Sequence, residues 1–225
     1  MCGRYVLKST PQHIREAFGI EGPDTAQSEE WRPHFNIAPT QFAPIVRVVD
    51  GARRLDLLKW GLIPSWAKDA TIGNRLINAR SETAPEKPAF RAAFKSRRCI
   101  VPADGFYEWQ QQPSGKQPHY IHRKDGELLA IAGLWEHWTP PESTVPLLTF
   151  TILTTEANSW MRRLHDRMPV VLEGDEVARW LDPASNFADL EALMRPLGDA
   201  DLEAYPVSKA VNNVRNDAPA LLEEV

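Results

Sequence analysis

Four side chains in this 225-residue chain are of types that could do chemistry together: Cys2, Asn78, Glu108 and His165. Cys2 stands where removal of Met1 makes it the N-terminal residue, which gives one residue both a thiol and an α-amine. A free α-amine titrates near pH ~8 against ~10.4 for lysine, so roughly one in ten is uncharged and nucleophilic at neutral pH. Such a residue condenses with an aldehyde through nitrogen and then closes a five-membered thiazolidine through sulfur. Taken alone, a cysteine at position two is more often a small apolar residue starting a strand. Glu108 lies in Phe106-Tyr107-Glu108-Trp109, where strand alternation puts it on the side of Phe106, among aromatic bodies, as a candidate for proton exchange. His165, between an arginine-rich helix end and a proline, carries an imidazole suited to acid or base work, although a lone histidine is more often structural. Asn78, beside Arg80, offers two donors and an acceptor, or serves as a turn residue. Arg4, Arg80, Arg162, Arg163 and Arg167 flank these candidates, as phosphate positioning would require, and Trp66 sits on a loop where it could stack on bases.

The elements that must hold these groups read as α+β. Residues 3–7 form a strand, and Thr10-Pro11 caps a helix with Ile14, Ala17 and Phe18 inward. Residues 20–34 are acidic and irregular, and 35–39 read as a tight apolar loop ending at Pro39. Strands over 43–49 and 53–60 meet at Asp50-Gly51, a hairpin signal. A short extended segment spans 76–80 and a helix 86–95, with Phe90, Ala93 and Phe94 inward. Residues 99–101, 106–109, 119–123 and 128–135 read as a meander, followed by a strand over 147–153. Thr155 then caps a short helix reaching Leu164, and helices over 175–181 and 187–194 precede an extended run over 202–207. No glycine-rich turn opens a dinucleotide or phosphate-loop unit, so a single domain over 1–225 is expected, with a mainly antiparallel sheet and short helices.

Composition narrows the classes. Two cysteines, Cys2 and Cys99, without CxxC or HExxH spacing support neither a disulfide scaffold nor a zinc site, and a reducing compartment is expected. No apolar run approaches the ~20 residues of a membrane helix, and charged residues interrupt the start of the chain, so a soluble cytoplasmic protein is expected. A net charge of −4 argues against bulk electrostatic binding of nucleic acid but leaves room for a local basic groove.

Seven stretches together resemble the SRAP family, named for SOS-response-associated peptidase. They are Met1-Cys2-Gly3-Arg4-Tyr5, Phe35-Asn36-Ile37-Ala38-Pro39, Trp60-Gly61-Leu62-Ile63-Pro64, residues 77–83, residues 103–109, His165-Asp166-Arg167-Met168-Pro169 and residues 207–214. The resemblance runs in order over nearly the whole chain. It implies one α+β domain with a curved, barrel-like antiparallel sheet. It also implies self-removal of Met1, binding of single-stranded DNA and a covalent crosslink to abasic sites, with a weak lyase activity through the open Schiff base. It implies Cys2 as nucleophile, Asn78, Glu108 and His165 as catalytic partners, and Arg4, Asn36, Pro39, Trp66, Arg80 and Arg167 as DNA contacts. No cofactor, metal, membrane or obligate protein partner is implied, and a cytoplasmic monomer, on the nucleoid when bound to DNA, is expected. The chain departs from the family's pattern at Ala67 and Pro88, where members often carry a second aromatic and an arginine. Glutamine amidotransferases also begin Met-Cys-Gly, and they and a non-catalytic DNA-binding module are the other classes the residues allow.

Overall fold

The computed structural model describes residues 2–21 and 31–225. Met1 and most of the acidic stretch expected over 20–34 therefore lie outside the described residues. The extended start leads into β1 (Tyr5–Leu7), and Thr10 accepts a hydrogen bond from the His13 backbone N–H to cap α1 (Pro11–Ala17). Ile14 and Phe18 are buried, but Ala17 is exposed rather than inward. Residues expected as a loop instead supply β2 (His34–Ile37), because Pro39 restricts only itself and Ala38, while the preceding residues pair with β1 at Tyr5↔Ile37.

A hairpin follows, β3 (Phe42–Val49) and β4 (Ala52–Trp60), turning at Asp50 and Gly51 with φ of 51° and 77°, the conformation that favours this dipeptide. β5 (Asn78–Arg80), α2 (Arg91–Ser96), β6 (Arg98–Ala103), β7 (Gly105–Gln112), β8 (Gly115–Arg123), β9 (Leu129–Trp138) and β10 (Leu147–Glu156) come next. The expected meander is corrected here. β7 and β8 form a hairpin, but β8 does not pair with β9, which joins β6 and β10 in another sheet. Alternation reveals which face a strand buries but not which strand it pairs with.

β10 is the hub. It runs parallel to β4 and antiparallel to β9, and β9–β6, β6–β3 and β3–β4 complete a closed five-strand ring. Trp60, Phe150, Ile45, Leu58, Ile100 and Ile152 are buried in the core. The far end of β10 adds β5 in parallel and, antiparallel, β11 (Arg167–Pro169), while β12 (Val171–Leu172) pairs with β9. Between β10 and β11 the chain makes a single 3-10 turn, Met161–Arg163, whose N-cap position is Trp160, and the side chain of Asn158 before it accepts from the Met161 N–H at 2.7 Å. The expected cap, Thr155, is instead part of β10 and buried there.

The second sheet has the order β13 (Leu202–Pro206), β8, β7, β1, β2. One face, with Tyr5, Leu7, Phe106 and Ile121, joins the core shared with the ring, and the other, with Val6, Tyr107 and Tyr120, is covered by Val207, Val211 and Leu221 of the C-terminal segment. Two short helices, α3 (Glu176–Leu181) and α4 (Phe187–Leu193), pack outside, with Trp180 edge-on to Phe94 and its indole N–H on the Cys99 carbonyl. Gly61 and Gly73 cross so closely that a Cβ on either would lie 2.6 or 2.7 Å from the other's carbonyl oxygen, which accounts for the glycine of the Trp60-Gly61 stretch.

Candidate active site

Cys2 precedes β1 by three residues and is fixed from two sides. On one side, β1 pairs with β7, and the Tyr107 N–H reaches the Arg4 carbonyl at 3.0 Å. On the other, Asn78 donates its side-chain N–H to the Cys2 carbonyl at 2.9 Å. Asn78 reaches it because β5 lies parallel to β10 with Asn78 opposite Ile152. The Asn78 Oδ1 is buried and without a partner, so one acceptor remains for a group that binds there. The Cys2 side chain is buried, and its thiol is pushed up to about 12, first by burial and then by the negative charge of Glu108. At that value the thiolate fraction at neutral pH is on the order of one in 10⁵.

Glu108 sits on β7 on the face of Phe106, 4% exposed, as alternation requires. Its Oε1 accepts from the Trp109 N–H at 3.3 Å. Two residues along the same face, Gln110 donates to the Arg163 carbonyl at 3.0 Å, which ties the turn carrying His165 to this strand. The His165 backbone N–H is held by the Met161 carbonyl at 3.0 Å. The His165 turn and the Asn78 strand thus both hang from the last residues of β10.

The DNA-contact candidates fall into two groups. Arg4 is half-buried, with its Nε buried and no hydrogen-bond partner there and no ion pair among the described residues; burial lowers its guanidinium below the ordinary value. Arg80 is exposed, and Trp66 is 59% exposed beside a cavity of about 620 Å³ lined by Lys68 and Arg75. Pro39 starts the turn from Ala38 to Gln41, in which Thr40 takes a φ of 74°, a strained value for a β-branched residue.

The others are already engaged. Arg167 grips the Glu82 carboxylate at 2.6 and 2.9 Å and the Thr154 carbonyl at 2.6 Å, so its charge is matched within the protein. Asn36 is buried with its amide nitrogen 3.2, 3.2 and 2.9 Å from the carbonyls of Val211, Asn213 and Asn216, which pins the C-terminal segment across β2. Sequence reasoning assigned no role to Glu82 or Asp166. The signal was present in both cases: an acid within the same short stretch as Asn78 and Arg80, and an acid adjacent to the histidine.

The sequence profile of SOS response associated peptidase (SRAP) matches residues 1–214. The chain belongs to the SRAP family. Within it, the chain is 46% identical over 227 residues to the abasic site processing protein YoqW of Bacillus subtilis, with 99% of each chain covered. It is 34% identical over 265 residues to the abasic site processing protein HMCES of Xenopus tropicalis, covering all of this chain and 78% of the other. The crystal structure of a protein from Bacteroides thetaiotaomicron superposes with a TM-score of 0.90 at 25% identity over the full length of both chains. SRAP membership thus agrees with the mainly antiparallel sheets and short helices of the fold.

Proposed function

We propose that this SRAP protein processes abasic sites in single-stranded DNA by forming a thiazolidine crosslink through Cys2, after removing its own Met1. The observation that carries the reading is the setting of Cys2, held by Asn78 and facing the charge of Glu108. Abasic deoxyribose is mostly a closed hemiacetal, and as it opens to the aldehyde His165 gives a proton to the ring oxygen and recovers one from the C1′ hydroxyl. The neutral α-amine of Cys2 adds to C1′, and the proton it sheds passes through Glu108 to the former aldehyde oxygen. The resulting hydroxyl leaves as water with a proton from His165 while the nitrogen returns its own to the imidazole, giving the Schiff base. The thiol then adds to the C=N carbon while its proton goes to the nitrogen, and the ring closes.

The order of attack follows from the thiol's ionisation. A buried thiol at about 12 is almost wholly protonated, so nitrogen attacks first and sulfur only once the Schiff base lies beside it. The unpartnered Asn78 Oδ1 is the acceptor for the nitrogen-borne hydrogen of the adduct. β-Elimination of the 3′ phosphate from the open Schiff base gives a weak lyase activity, which fast ring closure suppresses. Arg4, Arg80 and Trp66 hold the flanking strand.

The test is incubation with a single-stranded abasic oligonucleotide, read by denaturing electrophoresis and intact mass. The mature protein gives an adduct one water lighter than the sum of its parts. Cys2→Ala with Met1 removed gives only a Schiff base that borohydride traps. A protein with an uncleaved N-terminal tag gives neither. Crosslinking of the tagged protein at the native rate, with its terminus intact by mass, refutes the α-amine as nucleophile.

A further inference from the structure

Across β7 from Cys2, the second sheet carries a cavity of about 360 Å³ that the proposed reaction does not use. Strand pairing fixes which side chains share its face. Glu108 stands opposite His119 on β8, and His119 stands opposite Pro206 on β13, so all three lie on one side of the sheet. The cavity is walled by Gln110, His119, Ala204 and Pro206 of the sheet and by Trp160 and Arg163 of the turn that leads to His165. His119 is thus one strand spacing, about 4.8 Å, from Glu108. A group attached next to a sugar bound at Cys2 has this cavity within reach.

The lining has the chemistry of a base-binding pocket. The Arg163 guanidinium lies 5.5 Å from the centre of the Trp160 ring, which sets an aromatic surface and a cation side by side. His119 Nδ1 is 3.2 Å from the Gln117 carbonyl. A carbonyl only accepts, so Nδ1 carries the hydrogen, and in the neutral ring Nε2, without a partner among the described residues, is an acceptor. The Gln110 amide is already spent, its nitrogen on the Arg163 carbonyl and its oxygen on the Gln112 amide at 3.0 Å. The carboxylate of Glu203, which also borders the cavity, is turned to His122 Nε2 at 3.5 Å. Lys124 and Arg163 are exposed at the cavity and can meet a phosphate. The volume is near the low end of the ~300–1,000 Å³ of small-ligand pockets, which suits one heteroaromatic ring.

We propose that this cavity receives the nucleobase next to the abasic site, stacked on Trp160 and donating an exocyclic amine to His119 Nε2, so that adenine or cytosine is held better than thymine. This deepens the abasic-site reading and rests on it, and the experiment separates the two. Single-stranded abasic oligonucleotides carry adenine, purine without the 6-amino group, or a tetrahydrofuran spacer next to the abasic site, on either side, and crosslinking is timed well below saturation. A further oligonucleotide carries 5-iodocytosine there, and its photoproducts are located by peptide mass. On one side of the abasic site, iodocytosine attaches to the peptide of Trp160 or of His119. On that side adenine gives a rate about fivefold above purine, as one hydrogen bond implies, and His119→Phe removes that difference. Trp160→Leu narrows the ratio of adenine to tetrahydrofuran rates about tenfold, a change that a general disturbance of the turn would not produce. Equal wild-type rates with adenine, purine and tetrahydrofuran, or photoproducts at neither residue, overturn the pocket and leave abasic-site processing standing. A wild type that crosslinks none of these oligonucleotides overturns both.

Discussion

Replacing Glu108 with Gln tests the order of attack, because it should move two observables in opposite directions. The carboxylate is the second cause, after burial, of a Cys2 thiol pushed up to about 12. Glutamine keeps the shape and the burial but removes the negative charge, so the thiolate is less disfavoured and the thiol's value falls. Burial, the larger cause, remains, so the value stays above the ordinary 9.0. Each unit of that fall raises the thiolate fraction about tenfold, and the rate of modification by a small methanethiosulfonate follows it. Cys99 provides an internal standard: it is buried in the ring, burial raises its thiol as well, and no charge from Glu108 acts on it. The ratio of Cys2 to Cys99 labelling, located by peptide mass, therefore rises in Glu108→Gln. Crosslinking moves the other way, slowing by roughly 10²-fold as expected for a lost general base, because the proton of the attacking amine has nowhere to go. A variant that both labels and crosslinks faster would show that the thiolate leads and would refute amine-first attack.

Arg4→Ala should weaken binding of single-stranded DNA and reduce the slope of log affinity against log salt by about one, since Arg4 has no ion pair of its own among the described residues to lose; an unchanged slope removes it from the phosphate contacts. Glu82→Gln tests the clamp on Arg167. The Arg167 hydrogen bonds hold the Glu82 carboxyl below its ordinary 4.5, so the clamp's stabilisation is complete above that value and is lost as pH falls below it. The melting temperature of the wild type should then drop more steeply than that of Glu82→Gln between about pH 5 and about pH 3, and parallel curves would refute the coupling.

What was legible in the sequence was local. Asp50-Gly51 announced its hairpin because its positive φ angles are a property of those two residues, and Glu108 was placed on a buried aromatic face because alternation is a property of the strand. What was not legible was pairing. That β8 turns away from β9, that Asn78 reaches a carbonyl 76 positions earlier, and that Arg167 spends its charge on Glu82 85 positions away are all settled by which strands join β10. A side chain's type does not reveal whether its partner is a ligand or another part of the chain. The Asn36 amide nitrogen and two guanidinium nitrogens of Arg167, residues both expected from resemblance as DNA contacts, are engaged within the protein, while Asn36 Oδ1 and Arg167 Nε have no hydrogen-bond partner.

The same long-range pairing answers a difficulty in using a chain terminus as a nucleophile. First residues ordinarily fray, and a frayed amine loses the advantage of a fixed approach to the aldehyde. Here β1 is only three residues long, too short to hold itself. It is held because β7 and β2 pair on either side of it, because β2 is in turn pinned through Asn36 to the C-terminal segment, and because Asn78 fixes the Cys2 carbonyl from the other sheet. Asn78 therefore has two separable duties. Its N–H orders the terminus, and in the proposed reaction its unpartnered oxygen accepts from the adduct. In the proposed reaction, positioning and chemistry at Cys2 converge on one side chain, supplied by a strand that is paired to β10 of the closed ring.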